Sequence, residues 1–272
     1  MTMRVRSHGL TDTGLLRTHN EDYLGVYDEN KVYLVADGMG GHKHGEVASR
    51  IAVEAIHAYM NDGEACDRTL PITDSPHRQR HSNRLERSIH VAHSEVLEAI
   101  EGDASLLGMG TTVVGTMLHA DIAAIVHVGD SRAYRLRAGH LELLTQDHTW
   151  VNEQVVAGYL SEEQAKSHPL KNVVTRALGG DSDVQVDVTE TQVQDGDLYL
   201  LCSDGLTTML NEQDVHRILS VDAPLADICQ RLVEETNARG GFDNVTVLLL
   251  RIEAIEDGDQ ETISTRDVID RL

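Results

Sequence analysis

Residues 33–60 read YLVADGMGGHKHGEVASRIAVEAIHAYM, and three local patterns follow one another along them. Tyr33 to Asp37 is an apolar, β-rich run that ends on a carboxylate. Gly38, Gly40 and Gly41 come next. From Gly45 the period changes, and Val47, Ile51, Ala55 and Tyr59 recur at the spacing of one helix face. The pattern predicts a strand ending at Asp37, a glycine loop, and a helix from Gly45. Glycine-rich loops often cradle phosphate with their N–H groups. A nucleotide loop, however, closes on Gly-Lys-Ser/Thr, and a dinucleotide turn carries no acid between strand and glycine. Asp37 would repel an anion and attract a hard cation, and Gly38 lets its carbonyl approach the same ion. The loop reads as a metal holder.

Working outward, "VRSHGLTDTG" and "YLGVYDENKVYLVADG" predict strands, the second a hairpin turning at "DEN" and Lys31. Residues 61–83 carry two prolines and little periodicity, as an exposed connection does. Leu85, Ile89, Ala92, Val96 and Ile100 mark a second amphipathic helix over residues 84–100. Four short β-rich runs fill residues 110–145, and Ser161 with Gln164 forms a capping-box pattern. Further strands are expected in "VQVDVTE", "DLYLLC" and "NVTVLLLRI", with helices in "NEQDVHRILS" and over residues 224–237. Residues 253–272 read as a loose acidic tail. Strands and helices come in blocks, which favours antiparallel sheets with helices on their faces over a doubly wound parallel sheet.

Composition narrows the function. The chain has 272 residues, 40% of them hydrophobic and 25% charged, which suits a soluble globular protein. Aromatic residues are 3% of the chain, too few for base-stacking surfaces. A net charge of −22, from 45 acidic and 23 basic side chains, disfavours nucleic acid and anionic membranes as partners. The 3 cysteines are scattered and never spaced C-x-x-C, which fits a reducing cytoplasm and argues against zinc or disulfides. No export signal or membrane span is apparent.

Asp37 has counterparts. "RTHNED" follows the first strand, Asp130 breaks the β meander, Asp204 ends a strand and Asp243 begins one. Any one of these is a good turn residue on its own account. Several converging would make an oxygen cage for Mg²⁺ or Mn²⁺. Spacing alone does not show that they meet, and "DSDVQVDVTE" lacks the glycine of a calcium loop.

Taken in order, "RTHNED", "VADGMGG", "GTTVV", "GDSRAY", "DHTWV", "HPLKNVVTRALGG", "SDGL" and "DNVTVLLL" resemble the bacterial, metal-dependent type-2C serine/threonine protein phosphatases, from about Ser7 to Ile252. The resemblance implies an α+β fold, a four-layer α/β/β/α sandwich of two antiparallel β-sheets flanked by helices. It implies one domain over residues 1–252, with a flap at about 147–181. Asp37 would bridge two Mn²⁺ or Mg²⁺ ions. Asp204 and Asp243 would complete the first ion's site, and Glu21 and the Gly38 carbonyl would serve the second with Asp22 in support. Asp130 with Asp204 would hold a third, looser ion. The two ions would activate a shared water for in-line attack, while the planar fork of Arg17 binds phosphate oxygens. His168 and Arg176 would influence substrate access from the flap. Animal-type members carry a histidine after Asp-Gly as a general acid. This chain has Met39 there, so His42 or His44 competes with a metal-bound water for that role. The implied partners are phosphorylated proteins and a cognate Ser/Thr kinase, and the implied state is a cytoplasmic monomer. A non-catalytic phosphoprotein-binding module and a phosphatase of small phosphoesters are the alternatives. A pseudoenzyme usually lacks one of Asp37, Asp204 or Asp243, and all three are present.

Overall fold

The structure is a computed structural model that describes residues 2–40, 44–62 and 75–255. Among the described residues eleven strands form two antiparallel sheets, as the blocks of strands and helices in the sequence favour. One sheet runs β1 (Thr2–Asp12), β11 (Val245–Ile255), β10 (Leu198–Cys202), β7 (Arg132–Arg137), β8 (His140–Leu143). The other runs β2 (Asp22–Tyr27), β3 (Val32–Met39), β5 (Val113–His119), β6 (Ile122–Val128), β9 (Asp187–Gln192), and the two-residue β4 (Gly110–Thr111) pairs with the end of β3. β11 lies between β1 and β10 and pairs with β1 over its whole length, from Thr2 opposite Ile255 to Asp12 opposite Val245.

Three layers of side chains separate the four layers of backbone. Between the sheets lie Tyr33, Val35, Val114, Tyr199, Leu201, Leu248 and Leu250. Alternate residues of the same strands, Leu34 and Val126 among them, turn outward to meet α1 (Gly45–Asn61) and α2 (Arg80–Gly102). On the far side Leu200, Val247 and Leu249 meet α5 (Asp204–Met209), α6 (Glu212–Leu219) and α7 (Leu225–Ala238). Strands buried on both faces explain the nearly continuous apolar runs "VYLVA" and "VTVLLL", in which Thr246 is the one polar residue and is itself fully buried. The expected stripe on α1 is half in the core, through Ala55 and Tyr59, and the buried face is wider than the stripe. Ala48, Ala52 and Ile56 are fully buried, whereas Val47 and Ile51 flank the core.

The second helix begins at Arg80 rather than at residue 84. Its extra turn is held from another element. The Glu190 carboxylate of β9 accepts from the Gln79 N–H at 2.7 Å and from the Ser82 hydroxyl at 2.5 Å. That cap supplies the acid a helix N-terminus wants from more than a hundred residues away, so local sequence does not announce it. Between β8 and β9 stand the short α3 (Trp150–Val156) and α4 (Glu162–Lys166), and α4 opens with the expected Ser161–Gln164 capping box. β11 continues to Ile255, three residues into the stretch read as tail; residues 256–272 lie outside the described residues. No helix among the described residues is long and apolar enough to cross a membrane.

Candidate active site

The carboxylates meet because of strand direction. Asp22 opens β2, Asp37 nears the end of β3, Asp130 follows β6, Asp204 follows β10, and Asp243 precedes β11. In register, Asp22 sits opposite Asp37, β5 starts where β3 ends, and Cys202 faces both Arg132 and Val247. All five positions therefore fall at one end of the sandwich.

There Arg17, Glu21, Asp37, Gly38, Met39, Gly40, Asp130, Asp204 and Asp243 line a cavity of about 460 Å³, closed on one side by Asn172 and Val174. Asp22 stands behind it, 7% exposed. Its Oδ2 accepts from the Ser203 hydroxyl at 2.8 Å, and its Oδ1 is buried with no partner. Among the described residues Arg17 is the one cation in the lining, and its Nη2 donates to Asp243 Oδ2 at 2.8 Å.

Gly38 is required by close approach. A Cβ there would lie 2.5 Å from the Glu21 carbonyl oxygen and closer still to the carbonyl of Gly45, where α1 begins. Strand end and helix start touch backbone to backbone. The Asp37 carbonyl is fixed in the same way, accepting from Thr112 N–H and the Thr111 hydroxyl, each at 2.9 Å.

Asn244 fixes the opposite wall. It is 4% exposed. Its side-chain oxygen accepts from Glu21 N–H at 2.8 Å, and its amide donates to the carbonyls of Thr13 and His19, both at 2.9 Å. Sequence reasoning missed Asn244 and Ser203, although each sits beside a carboxylate that it found. Asn244→Ala would leave three backbone groups unpaired at once. The expected results are a stability loss of about 2–4 kcal/mol and at least tenfold weaker Mn²⁺ binding, read by melting and by calorimetry. Unchanged Mn²⁺ affinity would show that Glu21 is positioned without it.

So much like charge in one place has an electrostatic consequence. Burial, and then Asp22, Asp204, Asp130 and Asp243, push the Asp37 carboxyl well above the usual range. Asp130 is pushed up to about 7 by burial first and then by Asp204 and Asp147. Asp22 also rises to about 7, chiefly through burial, against the opposing influence of the nearby Thr246 and Ser203 hydroxyls. Asp204 rises through burial and then Asp243, relieved in part by Asp37 and Arg17. An all-oxygen donor set with unmet negative charge and an orphaned Asp22 oxygen fits hard divalent cations.

Stability of the metal-free chain should follow from these shifts. Asp22 and Asp130 ionise near 3.8 when unfolded and near 7 when folded. Between those values the folded state holds more protons, so stability falls as pH rises. With chelator present, Tm is expected to drop from pH 5 to pH 7.5, and Mn²⁺ should restore most of it at the higher pH. A chelated Tm that rises over that window would contradict the clustering.

The remaining candidates lie elsewhere. Arg176 does not line the cavity. Its Nη1 is 3.2 Å from Asp187 Oδ1 and 3.2 Å from His148 Nε2. His148 stacks on His127 with ring centroids 4.5 Å apart, and burial lowers its pKa to about 4. His127, His148 and Asp187 are close enough to share a cation, and the Arg176 guanidinium already reaches two of the three. These contacts anchor the root of the 147–181 segment, as do the backbone hydrogen bonds from Trp150 N–H to Val173 O and Thr175 N–H to His148 O, 2.8 Å each. His168 packs against Trp150, with ring centroids 5.0 Å apart. His44 is the N-cap residue of α1, and His42 lies outside the described residues.

The protein phosphatase 2C family profile matches residues 17–244, from the cavity's arginine to the asparagine behind it. Serine/threonine phosphatase stp of Listeria innocua is 37% identical over 251 residues, covering 91% of this chain and 96% of its own. The crystal structure of the Mycobacterium tuberculosis serine/threonine phosphatase PstP/Ppp superimposes with a TM-score of 0.81 at 33% identity, over 92% of this chain and 99% of that one. The catalytic domain of PstP in complex with two manganese ions gives a TM-score of 0.79 at 32% identity, over 93% and 100%.

Proposed function

This chain belongs to the protein phosphatase 2C family and is a metal-dependent serine/threonine phosphatase, and we propose that the cavity at the end of its sandwich is where it hydrolyses phosphorylated proteins. One observation carries the assignment of the site: Glu21, Asp37, Asp130, Asp204 and Asp243 share a single cavity with a single arginine. On this reading Asp37, Asp204 and Asp243 hold one Mn²⁺ or Mg²⁺ ion, and Asp37, Glu21 and the Gly38 carbonyl hold another, with Asp22 behind them. Asp130 and Asp204 offer a third place. When bound, such ions screen the phosphate and lower the pKa of a water.

The chain's own residues do the rest. The carboxylates offer no donor to a phosphate and would repel it if bare, so substrate entry depends on their neutralisation. Arg17, at the cavity wall and about half exposed, supplies a planar fork for two phosphoryl oxygens. Met39 cannot donate a proton to the departing alkoxide, which leaves that role to water or to a group outside the lining. A shallow acidic site of this kind suits phosphoserine or phosphothreonine on an exposed segment. We place the enzyme in the cytoplasm, as a monomer opposing a Ser/Thr kinase; the scattered cysteines support the first.

The test is hydrolysis of a phosphothreonine peptide by chelated protein as Mn²⁺ is titrated in. Turnover is expected to appear with Mn²⁺, and bound metal without turnover would refute the reading. Arg17→Ala should lower kcat/KM about a hundredfold, the scale of a lost charged donor at phosphate. Mn²⁺ affinity should not fall, because the substitution also frees Asp243. Calorimetry showing weaker Mn²⁺ binding in Arg17→Ala would contradict that division of labour.

A further inference from the structure

Leu15, Leu16 and Phe242 are 63%, 65% and 56% exposed, and they bracket the two ion-paired residues of the cavity wall. Leu16 precedes Arg17 and Phe242 precedes Asp243. Single exposed apolar side chains are ordinary. Three large ones on two interlocked turns that adjoin Arg17 and Asp243 are not scattered.

Their exposure does not come from looseness. The N–H groups of Leu15 and Leu16 donate to the Gly241 carbonyl at 2.8 and 3.3 Å. Gly14 N–H donates to Asp12 Oδ1 at 2.8 Å, and Asn237 donates to the same oxygen at 3.0 Å. A Cβ on Gly241 would sit 2.9 Å from Leu15 Cγ, so the 14–16 turn lies directly on the 240–243 turn. Two turns, one before β2 and one before β11, are thus locked together and hold apolar side chains out to water. Such a surface is already ordered before anything binds it.

We infer that Leu15, Leu16 and Phe242 form a shelf that selects substrates carrying a bulky aliphatic or aromatic side chain within two residues of the phosphoserine or phosphothreonine. The inference rests on the protein-phosphatase reading of the cavity. With the phosphate at Arg17, neighbouring substrate residues lie about 3.5 Å further along an extended chain per residue. That spacing brings the first or second flanking side chain over the residues adjoining Arg17 and Asp243. Acidic flanks would meet a protein of net charge −22 and be repelled. Apolar contact is the attraction this rim offers.

Two phosphothreonine peptides of equal charge, with Leu or Ser beside the phosphothreonine, test it on the Mn²⁺-loaded full chain. The expected kcat/KM ratio is about tenfold in favour of Leu, the effect of partly burying one such side chain. In the combined Leu15→Ser, Leu16→Ser, Phe242→Ser protein the ratio should fall towards one. Because it compares two peptides on the same protein, a general loss of activity cancels from it. Equal rates on both peptides with the unsubstituted protein, or a ratio that survives the three substitutions, would overturn the shelf while leaving the phosphatase reading intact. Hydrolysis of p-nitrophenyl phosphate with neither peptide cleaved would overturn the protein-phosphatase reading and the shelf with it.

Discussion

Asp37→Asn is expected to reduce phosphopeptide turnover at least a thousandfold while making the metal-free protein more stable. The two effects have one cause. Asp37 lies among Asp22, Asp130, Asp204 and Asp243, and with burial they push its pKa well up. An amide of nearly the same shape removes a charge that the empty cavity holds at a cost, so Tm in chelator should rise by a few degrees, at roughly 2–4 °C per kcal/mol for a chain of this size. The same change removes a shared oxygen ligand and with it much of the electrostatic stabilisation that phosphoryl transfer needs. Mn²⁺ should accordingly raise Tm far less in the variant than in the parent. Asp204→Asn and Asp243→Asn should also cost several orders of magnitude in rate. Near-normal turnover in any of the three would remove that residue from the site.

Gly38→Ala should damage the protein more than its one added methyl suggests. The nearest atoms to the new Cβ would be the Gly45 carbonyl and the Glu21 carbonyl oxygen, all of them backbone, so no side chain can turn aside to make room. Either the end of β3 or the start of α1 must move. Overpacking of this kind costs about 1–3 kcal/mol or more. The movement also displaces the Gly38 carbonyl and Glu21, so Mn²⁺ affinity and turnover should fall together. Gly102→Ala is the matched control. Gly102 ends α2 with no atom near the position of an added Cβ, and alanine favours helix, so that variant should melt no lower than the parent. Equal melting and equal Mn²⁺ binding in the two would show that the Gly38 contact is not tight.

Much of this was legible in the sequence, for a reason visible in the strands. Asp37, Asp204 and Asp243 stand next to apolar runs whose ends must reach the surface, so β periodicity alone puts them at strand termini. That they share one terminus needed the order of the motifs, because no local spacing reports strand direction. What stayed hidden was long-range pairing. Asn244 binds Glu21 across more than two hundred residues, and Ser203 reaches Asp22 in the same way. Side-chain direction was equally hidden for Arg176. The sequence put it in the segment beside the cavity, and Asn172 and Val174 of that segment do form the wall, but the guanidinium turns to Asp187 and His148. The early start of α2 belongs with these cases, since its cap comes from β9.

The place of β11 in its sheet has a consequence for when the enzyme comes into being. Of the described strands β1 is made earliest, yet its full-length partner is the latest, β11, which also closes the free edge of β10. The sheet cannot close around a growing chain until residues 245–255 have emerged, and such end-to-end pairing is slow to search. Asp243 and Asn244 arrive with that strand. A domain whose residues 243–255 have yet to emerge lacks Asp243 of the cavity and Asn244 behind it, so on this reading catalytic competence is acquired in one late step of the domain's own synthesis.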